Sequence, residues 1–272
     1  MKKSKKILAL VLSLLLVAGI VTVLSSCGNK NDNTFTVGFD AEFPPFGYLD
    51  EETGEYKGFD LDLATEVAKR NGWEIKLQPI DWNSKDAELS SGTIDCIWNG
   101  FTMNGREDLY TWTKPYVNNS QVVIVAADSG IKTLKDLAGK IVAVQTDSSA
   151  EGAFKDEEDH ADLVELAATF KGIDSQKDYL SCYMNLKAKA VDAVAVDIGV
   201  AQNLLKDADG EYIILDEILY PEEYAVGFKL GNEELRDKVQ ATYDEMLEDG
   251  TVMKIAEKYK DSGFDASSII TK

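Results

Sequence analysis

One histidine, His160, occurs in the 272 residues. That excludes a multi-histidine metal centre and leaves no support for a Ser-His-Asp hydrolytic triad. Cysteine is scarce too: Cys27, Cys96 and Cys182 are too few for a disulfide-built scaffold. Basic residues are outnumbered, 28 Lys and Arg against 48 Asp and Glu. So acidic a chain is ill suited to nucleic-acid phosphates or to docking on an anionic lipid surface. GxSxG, Walker and GxGxxG patterns are missing, as are internal repeats, low-complexity tracts and a Pro/Gly/Ser-rich linker. The acidic run 156–159 lacks the spacing of a calcium loop. No metal and no cofactor is therefore expected. What is present is 44% apolar residues, ordinary for a globular protein and too many for a disordered one.

The basic residues are unevenly placed. Lys2, Lys3, Lys5 and Lys6 open the chain, residues 7–24 are almost wholly apolar, and Leu24-Ser25-Ser26-Cys27 follows. A basic start, an apolar run and small residues form a secretory signal. The run is also long enough for an uncleaved membrane helix, which is the alternative. Leu, two small residues and Cys resemble the lipobox of bacterial lipoproteins, although Gly or Ala is commoner than Ser26 before the cysteine. That resemblance implies a signal over residues 1–26, an acylated Cys27 and a flexible tether over 27–33. Either reading places the rest on the extracytoplasmic side, and the first anchors it to the membrane by lipid.

Beyond Asn33 strands and helices alternate. Residues 34–39 alternate apolar and polar as a strand does. Residues 59–70 place Leu61, Ala64, Val67 and Ala68 on one helical face, with Asn71-Gly72 as the stop. Further strands are expected at 73–80, 94–98, 121–127, 140–145, 191–196, 212–215 and 224–229. Helices are expected near 84–89, 133–137, from 148, and at 175–188, 199–206, 233–248 and 252–260. The alternation predicts an α/β protein with mostly parallel sheets. Its length suits two cores of roughly 100–130 residues. Residues 117–121 and 221–224 are the candidate crossings between them.

Ligands of open α/β sheets sit just past the carboxyl ends of strands, so those points are where chemistry is sought. After the strand ending near Trp98 come Asn99, Gly100, Thr102 and Arg106. An Arg there can grip a carboxylate through two parallel bonds; the plain alternative is a surface Arg paired with Glu107 or Asp108. Phe39 to Tyr48 combines Asp40 and Glu42 with Phe43 and Phe46, suited to a cation or an amphipathic side chain. Of these aromatics, Phe46 and Tyr48 are expected in the core. Trp82 follows another strand and is either a pocket wall or simple packing. Asp197 ends an apolar strand before a helix, so it is either an N-cap or the receiver of an ammonium. Ser148 and Ser149 open a helix whose positive end welcomes an anion.

In order along the chain stand VGFDAEFPPFGY, GFDLDLATEVAKR, NGFT with Arg106, YTWTKPY, KTLKDLAGKIVAVQ, VDAVAVD and EEYAVGFKLGNEELRDKV. This series resembles the polar amino-acid substrate-binding proteins of ABC importers, the family-3 extracellular solute-binding group. The resemblance implies the type II periplasmic-binding-protein fold, with two lobes joined by two hinge strands. Lobe one would take residues 34–119 and 224–272, and lobe two 120–223. It implies that Arg106 clamps a ligand α-carboxylate with Thr102 and the N–H groups of Ser148 and Ser149. Asp197 would hold the α-ammonium, Phe43 and Trp82 would sandwich the side chain, Asp40 and Asn99 would offer it polar contacts, and Gly100 would be a further ligand-binding residue. Thr102 to Arg106 spans four positions where the family more often has five, and Gln145 stands where some members carry Lys. The implied partners are a free polar L-amino acid and a membrane permease, with the protein itself a monomer; Asp40, Glu42 and the acidic field lean toward Arg, Lys or His, and glutamine or cystine fits nearly as well, since Asp40 can accept from an amide. A ligand-presenting sensor and a dehydratase-type enzyme, which some prephenate and arogenate dehydratases exemplify on this fold, are the alternatives.

Overall fold

A computed structural model describes residues 33–271. The signal, Cys27 and all but the last residue of the tether lie outside the described residues. In chain order the elements are β1 (Thr34–Phe39), β2 (Glu42–Phe43), β3 (Gly47–Leu49), β4 (Tyr56–Lys57), α1 (Phe59–Asn71), β5 (Glu74–Pro79), α2 (Lys85–Ser91), β6 (Cys96–Ile97), β7 (Thr111–Trp112) and β8 (Val117–Ala126). Then come β9 (Ile141–Gln145), α3 (Ser149–Ala153), α4 (Ala161–Ala167), β10 (Gly172–Gln176), α5 (Tyr179–Lys187), β11 (Ala193–Asp197) and α6 (Ile198–Leu205). Last are β12 (Tyr212–Ile214), β13 (Tyr220–Tyr224), β14 (Gly227–Phe228), α7 (Glu233–Glu248) and α8 (Thr251–Glu257).

Two main sheets result. The first has the order β5-β1-β6-β14-β7, and the second β10-β9-β11-β8-β12 with β13 also on β8. A small antiparallel sheet, β2-β3-β4, fills the stretch between β1 and α1, where the sequence pattern predicts no strand. The sheets are mixed, not mostly parallel. β1 runs parallel to β6, and β9 parallel to β10 and β11. β14 opposes β6 and β7, and β8 opposes β11, β12 and β13. Two of the antiparallel members, β8 and β13, flank the points where the chain passes between sheets. The first half of β8 pairs with β13, from Tyr220 opposite Gln121 to Tyr224 opposite Val117. The chain passes from the first sheet to the second between β7 and β8 and returns between β13 and β14, with β8 and β13 side by side.

Each main sheet is covered on both faces, which explains its continuous apolar strands. In β8 and β11, Val122, Ile124, Val194 and Val196 face one core with α5 and α6, while Val123, Val125, Ala193 and Ala195 face another near α3 and α4. This is the period of two expected of strands. Buried this way, each Val or Ile contributes about 1.5–3 kcal/mol. Helix α1 buries Leu61, Leu63, Ala64, Val67 and Ala68, and ends at Gly72 in the left-handed conformation, with acids in its first turn and bases in its last. One expected helix is misplaced. Residues 172–176, GIDSQ, form a polar edge strand, and the helix begins only after the N-cap Asp178, whose carboxylate accepts from the Ser181 N–H. Cys96 and Cys182 are buried thiols with no disulfide among the described residues.

Candidate functional site

Five strands end at one cavity. β1, β5 and β6 of the first sheet lead to Phe43, Trp82, Asn99 and Gly100; β9 and β11 of the second deliver Gln145 and Asp197. Thr102, Arg106, Ser148, Ser149 and Tyr179 complete the wall of a space of about 280 Å³. A larger groove of about 730 Å³ beside Leu109, Tyr110 and Leu230 is open at the surface of the first sheet, without comparable convergence of buried polar groups. The smaller cavity is the better site because opposite charges and aromatic faces meet there on rigid strand ends.

Of the residues singled out in sequence, Phe43, Trp82, Asn99, Gly100, Thr102, Arg106, Ser148, Ser149 and Asp197 all line this cavity. Asp40 does not; it lies just behind the wall, 7% exposed. Arg106 is no surface residue paired to Glu107 or Asp108. Its Nη1 donates to the Thr102 carbonyl at 3.2 Å and its Nη2 to the Asp147 carbonyl at 3.3 Å, and its guanidinium carbon stands 5.4 Å from the Phe101 ring centre. The four-residue spacing from Thr102 therefore still delivers the guanidinium to the cavity. Asp197 sits at the N-cap of α6 but makes no capping bond. Its Oδ1 accepts from Asn119 Nδ2 at 3.0 Å and from the Tyr224 hydroxyl instead. Ser148 does cap α3, accepting from the Glu151 N–H at 3.2 Å. Its own N–H already donates to the Gln145 carbonyl at 3.2 Å.

Gly100 turns the wall at φ 55, where a Cβ would lie 2.7 Å from Phe43 Cε1 and 3.1 Å from Tyr224 Cε2. Only Gly meets both demands without strain. Its N–H donates at 2.6 Å to Asp60, which is fully buried and also accepts from the Tyr116 hydroxyl at 2.7 Å. Burial raises the Asp60 carboxyl to about 7.

Beneath Asp197 lies Glu222, buried in β13. Its oxygens accept from Thr102 Oγ1 at 3.0 Å, Asn119 Nδ2 at 2.6 Å and Gln121 Nε2 at 2.9 Å. Desolvation first, and then the nearby Asp197 charge, push its carboxyl well above the usual range. Contacts also join the two sides directly. Lys85, 2% exposed, pairs with the Asp147 carboxylate, while the Asp147 carbonyl accepts from Trp82 Nε1 at 3.3 Å as well as from Arg106. Asp147 holds φ 61 to do so. Asp40 Oδ2 accepts from Gln145 Nε2 at 2.6 Å.

Asp60, Lys85, Asp147 and Glu222 are not marked as site residues by sequence. Only Glu222 carried a signal: in Tyr220–Tyr224 the alternate residues Tyr220, Glu222 and Tyr224 share the buried face.

Two sheets joined by a pair of strands, with a polar and aromatic cavity at the converging strand ends, define a type II periplasmic-binding-protein fold. Residues 35–262 match the family of bacterial extracellular solute-binding proteins, family 3, and the chain belongs to that family. The Escherichia coli L-cystine-binding protein TcyJ is 29% identical over 235 residues, 85% of this chain and 84% of that protein. An ABC uptake transporter substrate-binding protein from Streptococcus pneumoniae, solved with bound histidine, superposes with a TM-score of 0.78 at 31% identity, over 86% of this chain and 95% of that one. An ancestral arginine-binding protein, solved with glutamine and with arginine, gives a TM-score of 0.74 at 34% identity over 84% of this chain, and 97% and 98% of its own.

Proposed function

We propose that this protein captures a free polar L-amino acid in the cavity between its two sheets and delivers it, outside the cytoplasm, to the permease of an ABC importer. The observation that carries this reading is the meeting of Arg106 and Asp197, from opposite sheets, on one small cavity walled by Phe43 and Trp82. A zwitterion needs one cationic and one anionic partner. Arg106 holds the α-carboxylate, helped by Thr102, Ser148 and Ser149, and Asp197 holds the α-ammonium. Phe43 and Trp82 enclose the side chain, whose end faces Asn99 and Gly100, with Asp40 behind. The ligand thus bridges the two lobes, 34–119 with 224–272 and 120–223. Closure excludes water, and fixed charges attract more strongly at low effective dielectric. The ligand therefore favours the closed form by its differential contacts. No bond of the ligand is broken in this cycle, so it is returned unchanged.

Truncating either grip leaves one ligand charge buried without a partner, at roughly 3–5 kcal/mol. Calorimetric titration with the cognate amino acid should show Arg106→Ala and Asp197→Ala each losing affinity by more than about 100-fold, with circular dichroism unchanged. Unaltered affinity in either variant would refute these roles.

The basic start, apolar run and Leu-Ser-Ser-Cys of the leader support an acylated Cys27 holding the protein at the outer face of the membrane. Several acyl chains give stable attachment where one does not. Cys27→Ser should release the protein from the membrane fraction and abolish incorporation of labelled fatty acid; retention of both would exclude the anchor.

A further inference from the structure

The side-chain end of the cavity has its acid already engaged. Gln145 Nε2 donates to Asp40 Oδ2 at 2.6 Å and to the Lys177 carbonyl at 3.2 Å, so both amide hydrogens are taken. Asp40 Oδ1 in turn accepts from the Glu42 N–H at 2.9 Å. The other nearby carboxylate, Asp178, accepts from the Ser181 N–H at 2.6 Å and pairs with Lys177 at 3.0 Å. Glu42 remains, on the exposed side.

Both amides on the wall have a fixed sense. Asn99 Oδ1 accepts from the Asp40 N–H at 2.8 Å; turning it over would set an NH₂ against a donor. Turning Gln145 over would set its oxygen against a carboxylate and a carbonyl. Gln145 Oε1 is thus the acceptor left for a ligand, while Asn99 Nδ2, buried without a partner among the described residues, lies against Gly47.

A cationic side chain meets no uncovered carboxylate here, and burying a cation against neutral amides is costly. A carboxamide can donate to Gln145 Oε1 through its NH₂ without bringing a charge into the cavity.

Building on the amino-acid reading above, we infer that Gln145, by capping Asp40, makes this end of the cavity selective for a neutral carboxamide side chain, glutamine before arginine, lysine, histidine or cystine. Gln145 is the specificity-determining residue, and Asp40 acts through it.

Calorimetric titration of the purified protein with glutamine, arginine, lysine, histidine and cystine tests this. Glutamine should bind at least about tenfold tighter than the others, since each competitor leaves a buried polar group unmatched. Gln145→Leu should weaken glutamine by at least about tenfold and leave arginine or lysine the tighter ligand, because the Asp40 carboxylate is uncovered. Gln145→Met, closer in length, gives the same reversal should the Leu variant fold poorly. A wild-type protein preferring a cationic amino acid or cystine would overturn the inference while leaving the amino-acid reading intact. An unchanged order of ligands in both folded variants would overturn it too. Binding of none of the amino acids would fell the broader reading and this inference with it.

Discussion

Asp60 is a buried carboxyl with no cation beside it among the described residues. It is 0% exposed, its Oδ2 accepts from the Gly100 N–H and the Tyr116 hydroxyl, and its Oδ1 has no partner among the described residues. Desolvation raises its pKa from 3.8 to about 7. A raised carboxyl stabilises the fold fully below its unfolded pKa, and that stability is lost as pH rises through the folded value. Between about pH 5 and pH 8 the unfolded chain has already released this proton while the folded chain is giving it up. Stability should therefore fall by about 3 kcal/mol over that interval from Asp60 alone. Asp60→Asn keeps an acceptor for Gly100 and Tyr116 and removes the titration. Asp40 and Glu222, which are also raised, titrate equally in both proteins and cancel from the difference. Thermal melts of wild type and variant at several pH values should thus diverge in favour of the variant on going from acid to mild alkali. At roughly 2–4 °C per kcal/mol for a chain of this size, the relative shift is about 6–12 °C. Ligand affinity should persist, since Gly100 is still held. Melting curves that stay parallel across this range would refute the argument.

Two further substitutions probe the cavity's frame. Lys85→Met removes the pair with Asp147 but keeps the buried stem. It should leave melting temperature equal or higher, yet weaken ligand binding by about two- to fivefold, because the closed form loses a partly exposed ion pair; calorimetry giving tighter binding would contradict this. Gly100→Ala places a Cβ 2.7 Å from Phe43 at φ 55, so it should cost about 1–2 kcal/mol in stability and lower affinity by displacing the aromatic wall; a variant matching wild type in both melt and titration would disprove it.

What could be read in the sequence follows from where periodicity is strong. β8, β11 and α1 are long or uniformly apolar, and their patterns survive tertiary packing. Strand ends followed by Asn99-Gly100 or by Asp197 were legible as ligand positions because sheet topology places ligands there. β10 was not legible: GIDSQ is a polar edge strand, and its Ser and Gln fit a helix start equally well. Asp60, Lys85 and Glu222 were hidden because their residue types are mostly exposed. Only their partners, Tyr116, Asp147, Asn119 and Gln121, make their burial tolerable, and those lie far away in sequence. Asp197 shows the same limit. An acid before a helix fits an N-cap in any local reading, and it is Tyr224, from the returning crossover strand, that turns its carboxylate to another use.

The division of labour between apolar and polar contacts bears on how the cavity can open. Within each sheet region the packing is apolar and dense, which resists gradual deformation. Between the two sides many of the contacts are polar: Lys85 with Asp147, Trp82 and Arg106 on the Asp147 carbonyl, Gln145 on Asp40. Each such group can exchange its partner for water at little net cost, whereas separating apolar cores cannot. Asp147 gathers three of these contacts at one residue held at φ 61, so their loss would be concerted. Arg106 is shared between this contact and the cavity. A carboxylate arriving there offers the guanidinium a charged partner in place of, or alongside, the neutral Thr102 and Asp147 carbonyls, and charge-assisted bonds are roughly twice as strong as neutral ones. With the carboxylate grip proposed above, that grip and the seam between the two sheets would share one side chain, coupling ligand arrival to closure without any further moving part.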